Sequence, residues 1–366
     1  MSVSKQAILD ALSTVQEPEL KKDIVTLNLV QIISSEGNQI DLQVKVSNPA
    51  MHSKMRMKEA VIFAIQRTLG FEFKVNVDVV SISGDEREGD LRKVLPGVKN
   101  IIAVTSGKGG VGKSTISSNL ACGLAKKGYS VGYLDADIYG PSAPLMFDLQ
   151  HDKPKLIDVD GHSKLEPIVQ YGVKVLSIGF FADLNQAVVW RGPMATKALT
   201  QMVNDAHWGP LDYLILDLPP GTGDVHLSIV QNIPLTAALI VSTPQPVALI
   251  DAAKAIAMFN LPAINVPILG VVENMAWFSS TGDPDDRQYI FGKDGAKNMA
   301  DDYELPCIAH IPLIQSIREA GDVGRPAVIN EDNPAHFYFD EMIGNFEREL
   351  RMLPFRKKTE TREQQN

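Results

Sequence analysis

Residues 107–115 read Gly-Lys-Gly-Gly-Val-Gly-Lys-Ser-Thr, and this run is the most informative feature of the sequence. It contains the pattern G-x-x-x-x-G-K-[ST], in which glycines let backbone N–H groups turn inward around a polyphosphate. Lys113 supplies charge to the outer phosphates, and the Ser114 hydroxyl is placed to bind Mg²⁺. We therefore predict a nucleotide site with bound Mg²⁺, whose nucleotide-binding residues are Gly107, Lys108, Gly109, Gly110, Val111, Gly112, Lys113, Ser114 and Thr115.

The sequence on either side of the loop supports this interpretation. The apolar run at residues 101–104 is typical of a buried strand that leads into the loop. Ile116, Leu120 and Leu124 then recur every four residues, which predicts a helix that Gly128 can end. A strand, a glycine-rich loop and a helix in this order favour a phosphate site over a turn without chemical role.

Lys108 is a second lysine, too early in the loop to wrap back easily onto the phosphates that Lys113 serves. In the deviant-loop ATPases that this stretch resembles, the early lysine reaches across a dimer interface to the partner's phosphates. The alternative is a solvated surface lysine. We therefore expect a homodimer in which Lys108 takes part in catalysis.

Three acidic side chains follow predicted strands, where phosphate chemistry needs them. Asp217 closes the apolar run 213–216 at the edge where ligands bind in open α/β sheets, and we expect it to hold Mg²⁺. Asp135 and Asp137 end the run 131–134. We expect Asp135 to lie nearer the metal and Asp137 to orient the attacking water.

Two further segments are predicted to lie close to the nucleotide. The stiff turn at residues 218–224 is rich in backbone donors, and we expect it beside the γ-phosphate. Asn274 follows another predicted strand, and its amide suits the donor and acceptor edge of adenine. Asparagine at a strand end also commonly makes a turn, so the residue alone is weak evidence.

Length and composition limit the classes of protein to which this chain can belong. The chain has 366 residues, enough for two domains, and its net charge of −9 argues against general nucleic-acid binding. No apolar stretch approaches the length of a spanning helix, and the start has no signal-peptide core. Cys122 and Cys307 are widely spaced, which indicates a reducing compartment. We expect a cytoplasmic protein that contacts neither membrane nor nucleic acid.

Residues 1–83 are predicted to form a small α+β domain. Residues 40–46 and 71–79 alternate between apolar and polar, as half-buried strands do, and a helix over about 53–69 separates them. The charged, glycine-bearing run at residues 84–90 suits an exposed linker, which we assign to residues 84–98.

Residues 99–350 follow the pattern of an α/β fold, a P-loop NTPase domain with a mostly parallel sheet and helices on both faces. Strands are predicted at Ile101–Thr105, Ser130–Leu134, Val173–Ser177, Tyr213–Asp217, Ala237–Ser242 and Ile268–Glu273. A last amphipathic helix is expected to dock on this sheet rather than on a membrane, because its polar face is acidic. Its apolar face carries Phe339, Met342, Ile343, Phe346 and Leu350, and residues 351–366 are predicted to be a disordered tail.

These motifs together resemble the Mrp/ApbC branch of the deviant P-loop ATPases. The segments that carry the resemblance are residues 107–115, 134–142, 190–194, 217–224 and 272–275. Residues 17–20 and 48–52 are similar to the small iron–sulfur assembly domain often fused to that branch. The resemblance implies a homodimeric carrier that hydrolyses ATP, binds an iron–sulfur cluster and passes it from a scaffold to apoprotein clients.

The sequence departs from that family in its cysteines. Family members usually carry a Cys-x-x-Cys after the Glu-Asn-Met segment, whereas residues 277–292 contain no cysteine. Clusters need soft thiolate ligands, so we expect no stable dimer-bridging cluster. Cys122 and Cys307 are interpreted as small buried residues. His52 and His310 are weaker candidates for substitute ligands, because no metal-ligand spacing links them.

Two other functions share the loop and the dimer. A ParA/MinD-like positioning ATPase would need a basic or membrane-seeking surface, and the short tail of mixed charge offers none. The other function is a nucleotide-dependent adaptor, in which slow hydrolysis only resets a binding surface. The sequence alone distinguishes such an adaptor poorly from a carrier. The front domain favours the carrier.

Overall fold

A computed structural model of the chain describes residues 3–18, 22–27, 29–46, 51–81, 95, 97–181, 192–279 and 286–363. The chain divides into two compact units. The first comprises Met1–Gly89 with Pro262–Asn265, and the second comprises Asp90–Leu261 with Val266–Asn366.

The first unit is a small α+β fold that contains a three-stranded sheet and a separate two-stranded pair. Its elements are α1 (Lys5–Leu12), β1 (Gln16–Glu17), β2 (Lys22–Asp23), β3 (Val30–Glu36), β4 (Gln39–Val46), α2 (Met51–Leu69) and β5 (Lys74–Ser81). Strand β4 pairs antiparallel with β3 and parallel with β5, so α2 forms the crossover between parallel neighbours. The alternate residues of β4 that point inward join both helices in one apolar core.

The second unit contains an eight-stranded sheet among its described residues. Its strands are β6 (Val98–Thr105), β7 (Val131–Asp135), β10 (Ile168–Gln170), β11 (Val173–Ser177), β12 (Leu211–Asp217), β13 (Ala237–Ser242), β14 (Ile268–Phe278) and β15 (Cys307–Leu313). They lie in the order β10-β11-β7-β12-β6-β13-β14-β15, and the pairings are parallel except that of β10 with β11. A separate hairpin joins β8 (Lys155–Val159) to β9 (His162–Glu166).

The helices of this unit are α3 (Lys113–Lys126), α4 (Ala143–Met146), α5 (Gly192–Asp205), α6 (Asp224–Asn232), α7 (Pro246–Phe259), α8 (Gly295–Asp302), α9 (Gln315–Asp322) and α10 (His336–Glu363). Every residue of β13 and β7 is buried, as expected for strands covered by helices on both faces. The structure thus confirms the predicted α/β class and its mostly parallel sheet.

Strand register places the acidic residues at one edge of the sheet. Strand β12 lies between β6 and β7, and Asp217 at its end is in register with Asp135 of β7 on one side and with Val104 of β6 on the other. The glycine-rich loop follows β6 directly. The carboxyl ends of three adjacent strands therefore converge where α3 begins.

The C-terminal helix agrees with the prediction in its packing and differs in its length. The side chains of Phe339, Met342, Ile343 and Phe346 are buried in the main core, and α10 packs against β15 and α3. The helix continues to Glu363, so a disordered tail from residue 351 was wrong for residues 351–363. Lysine, arginine and glutamate dominate this stretch and favour helix intrinsically.

Some strands of the structure were not predicted, and one predicted segment lies where the structure gives no description. The hairpin β8–β9, the seven-residue strand β3 and the three-residue strand β10 were not predicted from sequence. The run at residues 84–90, assigned to a linker, lies outside the described residues. Within the part of the chain that the structure describes, no helix combines the length and the apolar character needed to cross a membrane.

Candidate functional site

The loop at residues 107–115 has a backbone conformation that favours glycine at two positions. Gly110 and Gly112 both have φ of 82°, in the left-handed region, and Gly112 caps the N-terminus of α3. A Cβ on Gly107 would overlap the backbone of Asp251 in α7, and one on Gly112 would overlap the Asn274 amide. The loop therefore leads into the N-terminus of α3, where unpaired backbone N–H groups can bind phosphate.

A buried ion pair lies directly beneath the loop. Lys113 Nζ is 2.6 Å from Asp217 Oδ1, and the two side chains are 6% and 0% exposed. Lys113 also donates to Ser114 Oγ at 3.3 Å. The Tyr133 hydroxyl donates to Asp217 Oδ2 at 3.1 Å and is itself within 3.0 Å of Ser117 Oγ. Asp217 is thus paired and hydrogen-bonded on both oxygens, as a buried charge must be.

Asp135 is the neighbour of Asp217 in the sheet. Both of its carboxylate oxygens accept hydrogen bonds from backbone N–H groups of the segment that follows β7. Oδ1 accepts from the backbone N–H of Asp137, and Oδ2 accepts from the N–H groups of Ser142 and Ala143. Ser177 Oγ donates to Oδ2 as well, at 2.9 Å. Burial and the Asp217 charge raise the pKa of Asp135. Asp135 therefore fixes the segment that follows β7.

Asp137 is half-buried at the start of that segment. Its Oδ1 accepts a hydrogen bond from the backbone N–H of Gly140 at 3.2 Å. Burial raises the pKa of Asp137, and the charge of Lys113 opposes this shift. Asp137 lies close enough to the loop lysine for the two charges to interact, and its role in orienting water stays a prediction.

The turn after β12 is fastened by its backbone to the end of β6 and to the residue just before the loop. Leu218 N–H donates to Val104 O at 3.0 Å, and Gly221 N–H donates to Ser106 O at 2.9 Å. These two bonds keep the turn next to the start of the loop.

His226, on α6, supports the turn from below and was not predicted from sequence. Its Nδ1 lies 3.1 Å from the carbonyl of Pro219, and its Nε2 lies 3.4 Å from Thr105 Oγ1. Because a carbonyl only accepts, Nδ1 carries the proton and Nε2 accepts from Thr105. Burial lowers the pKa of His226 to about 4, so the ring is neutral at pH 7.

Asn274 and Lys108 flank the loop in different ways. Asn274 is buried, and its Nδ2 donates to Val111 O at 2.8 Å, so it holds the loop. Lys108 is half-buried, and no ion pair is recorded for it within the described residues. The adenine contact of Asn274 and the action of Lys108 across a dimer both stay predictions.

A second polar cluster lies on β14 and β15, and sequence patterns did not reveal it. His310 Nδ1 is 3.2 Å from Glu273 Oε1, and its Nε2 is 3.5 Å from Cys307 Sγ. Hydrogen bonds with Cys307 and Glu273 raise the pKa of His310 to about 10. Cys307 is partly exposed, contrary to the expectation of a buried residue. The register of β14 and β15 brings Glu273 and His310 together, because the two residues are direct partners in this parallel pairing.

The other residues considered as ligands fall elsewhere. Cys122 is buried on α3 as expected, and burial raises the pKa of its thiol. The side chain of His52 and residues 280–285 lie outside what the structure describes.

Comparisons with known proteins decide the family. The family model described as ParA, NUBPL iron-transfer P-loop NTPase, matches residues 97–346. The chain belongs to this family. A second family model, iron–sulfur cluster assembly protein, matches residues 5–79.

Curated relatives match most of the chain. A protein of Synechocystis named iron–sulfur cluster carrier protein is 39% identical over 91% of this chain and 94% of its own. A protein of the same name from Deinococcus radiodurans is 42% identical over 88% of this chain and 89% of its own. A nucleotide-binding protein of Archaeoglobus fulgidus, solved with ADP, is 37% identical with a TM-score of 0.58, covering 69% of this chain and 96% of that one.

Proposed function

We propose that this chain is an ATP-hydrolysing carrier that binds iron–sulfur clusters and passes them to apoproteins. The observation that carries the proposal is the alignment of a named iron–sulfur cluster carrier protein with 91% of the chain. That alignment comes together with a complete phosphate loop above the Lys113–Asp217 pair. The front segment matches an iron–sulfur assembly family, which favours a carrier over a positioning ATPase or an adaptor.

The nucleotide half of the proposal rests on an exchange of partners by Lys113. Without nucleotide, this lysine pairs with Asp217. When ATP occupies the loop, Lys113 would turn to the phosphates and Asp217 would become available to hold Mg²⁺, so each buried charge would keep an opposite charge beside it. Mg²⁺, when bound, supplies neutralisation of the phosphate charge.

The donors at the loop fit Mg²⁺, which prefers oxygen ligands. We assign it to Ser114 and Asp217, both adjacent to Lys113. Asp135 suits an indirect role through water, because its two oxygens already accept four hydrogen bonds.

Asp137 is the proposed residue that orients the attacking water. The test is Asp137→Asn, which keeps the shape of the side chain and removes its charge. ATP binding should persist while hydrolysis slows by ~10²-fold, equivalent to about 3 kcal/mol of barrier. Turnover within a few-fold of wild type would remove Asp137 from this role.

Lys108 is proposed to act on the nucleotide of a second copy of the chain. Lys108→Ala should spare ATP binding and reduce turnover, whereas Lys113→Ala should abolish binding. Sedimentation with and without ATP would show whether a dimer accompanies turnover. Equal loss of binding in both variants would remove the argument for action across a dimer.

The cargo half of the proposal is tested by transfer. The protein is expected to work in the cytoplasm between an iron–sulfur scaffold and apoprotein clients. After anaerobic reconstitution with iron and sulfide, we expect a labile, sub-stoichiometric cluster that restores an apoprotein. A protein that hydrolyses ATP but transfers neither iron nor sulfide would exclude the carrier function. A stable cluster of about four irons per dimer, unaffected by substitution of Cys122 and Cys307, would show that other ligands hold it.

A further inference from the structure

A cleft of about 490 Å³ opens on the second polar cluster. Its lining includes Cys307 and His310 of β15, Glu273 and Trp277 of β14, and Asp294 at the start of α8. A thiol, an imidazole and two carboxylates thus share one solvent-accessible cavity. The proposed ATPase reaction uses none of these groups.

The distance between the thiol and the imidazole suits a shared metal ion. Cys307 Sγ lies 3.5 Å from His310 Nε2. Two ligands of a tetrahedral ion, with bonds of about 2.3 Å to sulfur and about 2.05 Å to nitrogen, are separated by about 3.6 Å. An ion can therefore sit between the two atoms with little movement of either side chain.

Glu273 orients the imidazole for this role. Its Oε1 faces His310 Nδ1 at 3.2 Å, so Nδ1 keeps a proton and Nε2 turns towards Cys307. Its Oε2 accepts from the backbone N–H of Ala296 at 2.6 Å and of Lys297 at 3.3 Å, and the side chain is buried. A carboxylate behind a ligating histidine is a common device for fixing its tautomer.

Asp294 lies beside the glutamate and the histidine in the lining of the cleft. Ligand atoms of Glu273, Asp294 and His310 lie within 4.8 Å of one another. Sulfur and imidazole nitrogen together favour Fe²⁺, Zn²⁺ or Co²⁺ over Mg²⁺, which prefers oxygen ligands. Positions left open to the cleft would allow such an ion to exchange.

We propose that Cys307 and His310 bind one divalent transition metal ion in this cleft, and that Glu273 positions His310. The assignment of this ion as iron on its way to or from a cluster deepens the proposed carrier function and rests on it. Metal binding itself is independent of that function.

The experiment is a Co²⁺ titration of the nucleotide-free, full-length protein in excess Mg²⁺, followed by absorbance. One Co²⁺ per chain should bind with a sulfur-to-cobalt charge-transfer band in the near ultraviolet. Cys307→Ser should abolish the band, and His310→Gln should weaken binding at least about tenfold. Glu273→Gln should weaken it by roughly 10–100-fold while keeping the band, as a positioning residue does. Cys122→Ala, the matched control, should change nothing.

A second measurement uses the wild-type protein and needs no variant to fold. Zn²⁺ should slow alkylation of Cys307, and Zn²⁺ should displace Co²⁺ and remove the charge-transfer band. Absence of Co²⁺ binding, absence of the band, or a band that persists in Cys307→Ser would overturn the site. Loss of metal binding with normal cluster transfer overturns this site alone, whereas normal Co²⁺ binding without ATP hydrolysis or transfer overturns the proposed function alone.

Discussion

Replacing Lys113 by methionine should destabilise the nucleotide-free protein strongly, because it leaves Asp217 buried without a counter-charge. Methionine keeps an unbranched chain of similar length and removes only the ammonium group. Asp217 would retain the hydrogen bond from Tyr133, which is a weaker partner than a cation at 2.6 Å. The loss should therefore appear as reduced stability in the absence of any ligand.

The magnitude follows from the geometry of the pair. Opposite charges 2.6 Å apart attract by about 6 kcal/mol at an effective dielectric constant of ~20. Burying both groups costs much of this, and breaking such a pair from one side costs about 3–5 kcal/mol. Lys113→Met should lower the free energy of unfolding by that amount. Asp217→Asn in the same chain should restore more than about 2 kcal/mol, since no charge is then left unpaired.

Urea denaturation followed by tryptophan fluorescence measures the free energy of unfolding of the second unit, which contains the Lys113–Asp217 pair. The three tryptophans, Trp190, Trp208 and Trp277, belong to the second unit, so unfolding of the first does not contribute directly. The wild type, the two single variants and the double variant form a cycle. A cost below about 1 kcal/mol for Lys113→Met, or a double variant no more stable than that single variant, would refute the buried-pair argument.

Three further predictions concern different parts of the structure. His226 has a folded pKa of about 4 against about 6.5 when unfolded, so the unfolded state gains its proton first as pH falls; this removes about 2 kcal/mol of stability between pH 7 and pH 5. Between pH 7 and pH 5 the free energy of unfolding of His226→Gln should fall by about 2 kcal/mol less than that of the wild type, as measured by urea denaturation at both pH values. An equal fall in the two proteins would contradict the low pKa of His226. Thiol titration should find one reactive cysteine in the native protein, Cys307, and two after unfolding, because Cys122 is buried; two reactive thiols in the native state would be inconsistent with the fold. Gly107→Ala should weaken ATP binding at least tenfold, about 1.4 kcal/mol by calorimetry, since the added Cβ overlaps the backbone of α7; Gly344→Ala, where a Cβ meets nothing within 4 Å, is the control and should bind ATP normally.

The large sheet was predictable because its strands are long apolar runs separated by helical periodicity. Ala237–Ser242 is one such run, and the structure buries all six of its residues. The hairpin of β8 and β9 escaped prediction because most of its residues are exposed or half-buried and its pattern is polar. The predicted end at residue 350 failed because a charged sequence of good helix formers reads equally well as disorder.

The site was predictable only where a local motif encodes it. The glycine spacing identifies the loop, and strand ends identify the acidic residues. The hydrogen bonds of Asp135, the support of the turn by His226 and the contact of Cys307 with His310 depend on strand order and register. No sequence motif within one segment predicts these contacts. Glu273 and His310, for example, are 37 positions apart and meet only when β14 and β15 pair.

Strand β14 connects the two polar sites through a single peptide bond. Asn274 donates to the phosphate loop at Val111, whereas Glu273, the residue before it, faces His310 and the thiol cleft. Consecutive residues of a strand point to opposite faces, so one strand can serve two sites without any side chain being shared. Glu273 is also tied to the first N–H groups of α8, so its carboxylate is fixed by two elements besides its own strand. Adjacent residues of β14 therefore help to hold the phosphate loop on one face and the histidine of the thiol cleft on the other.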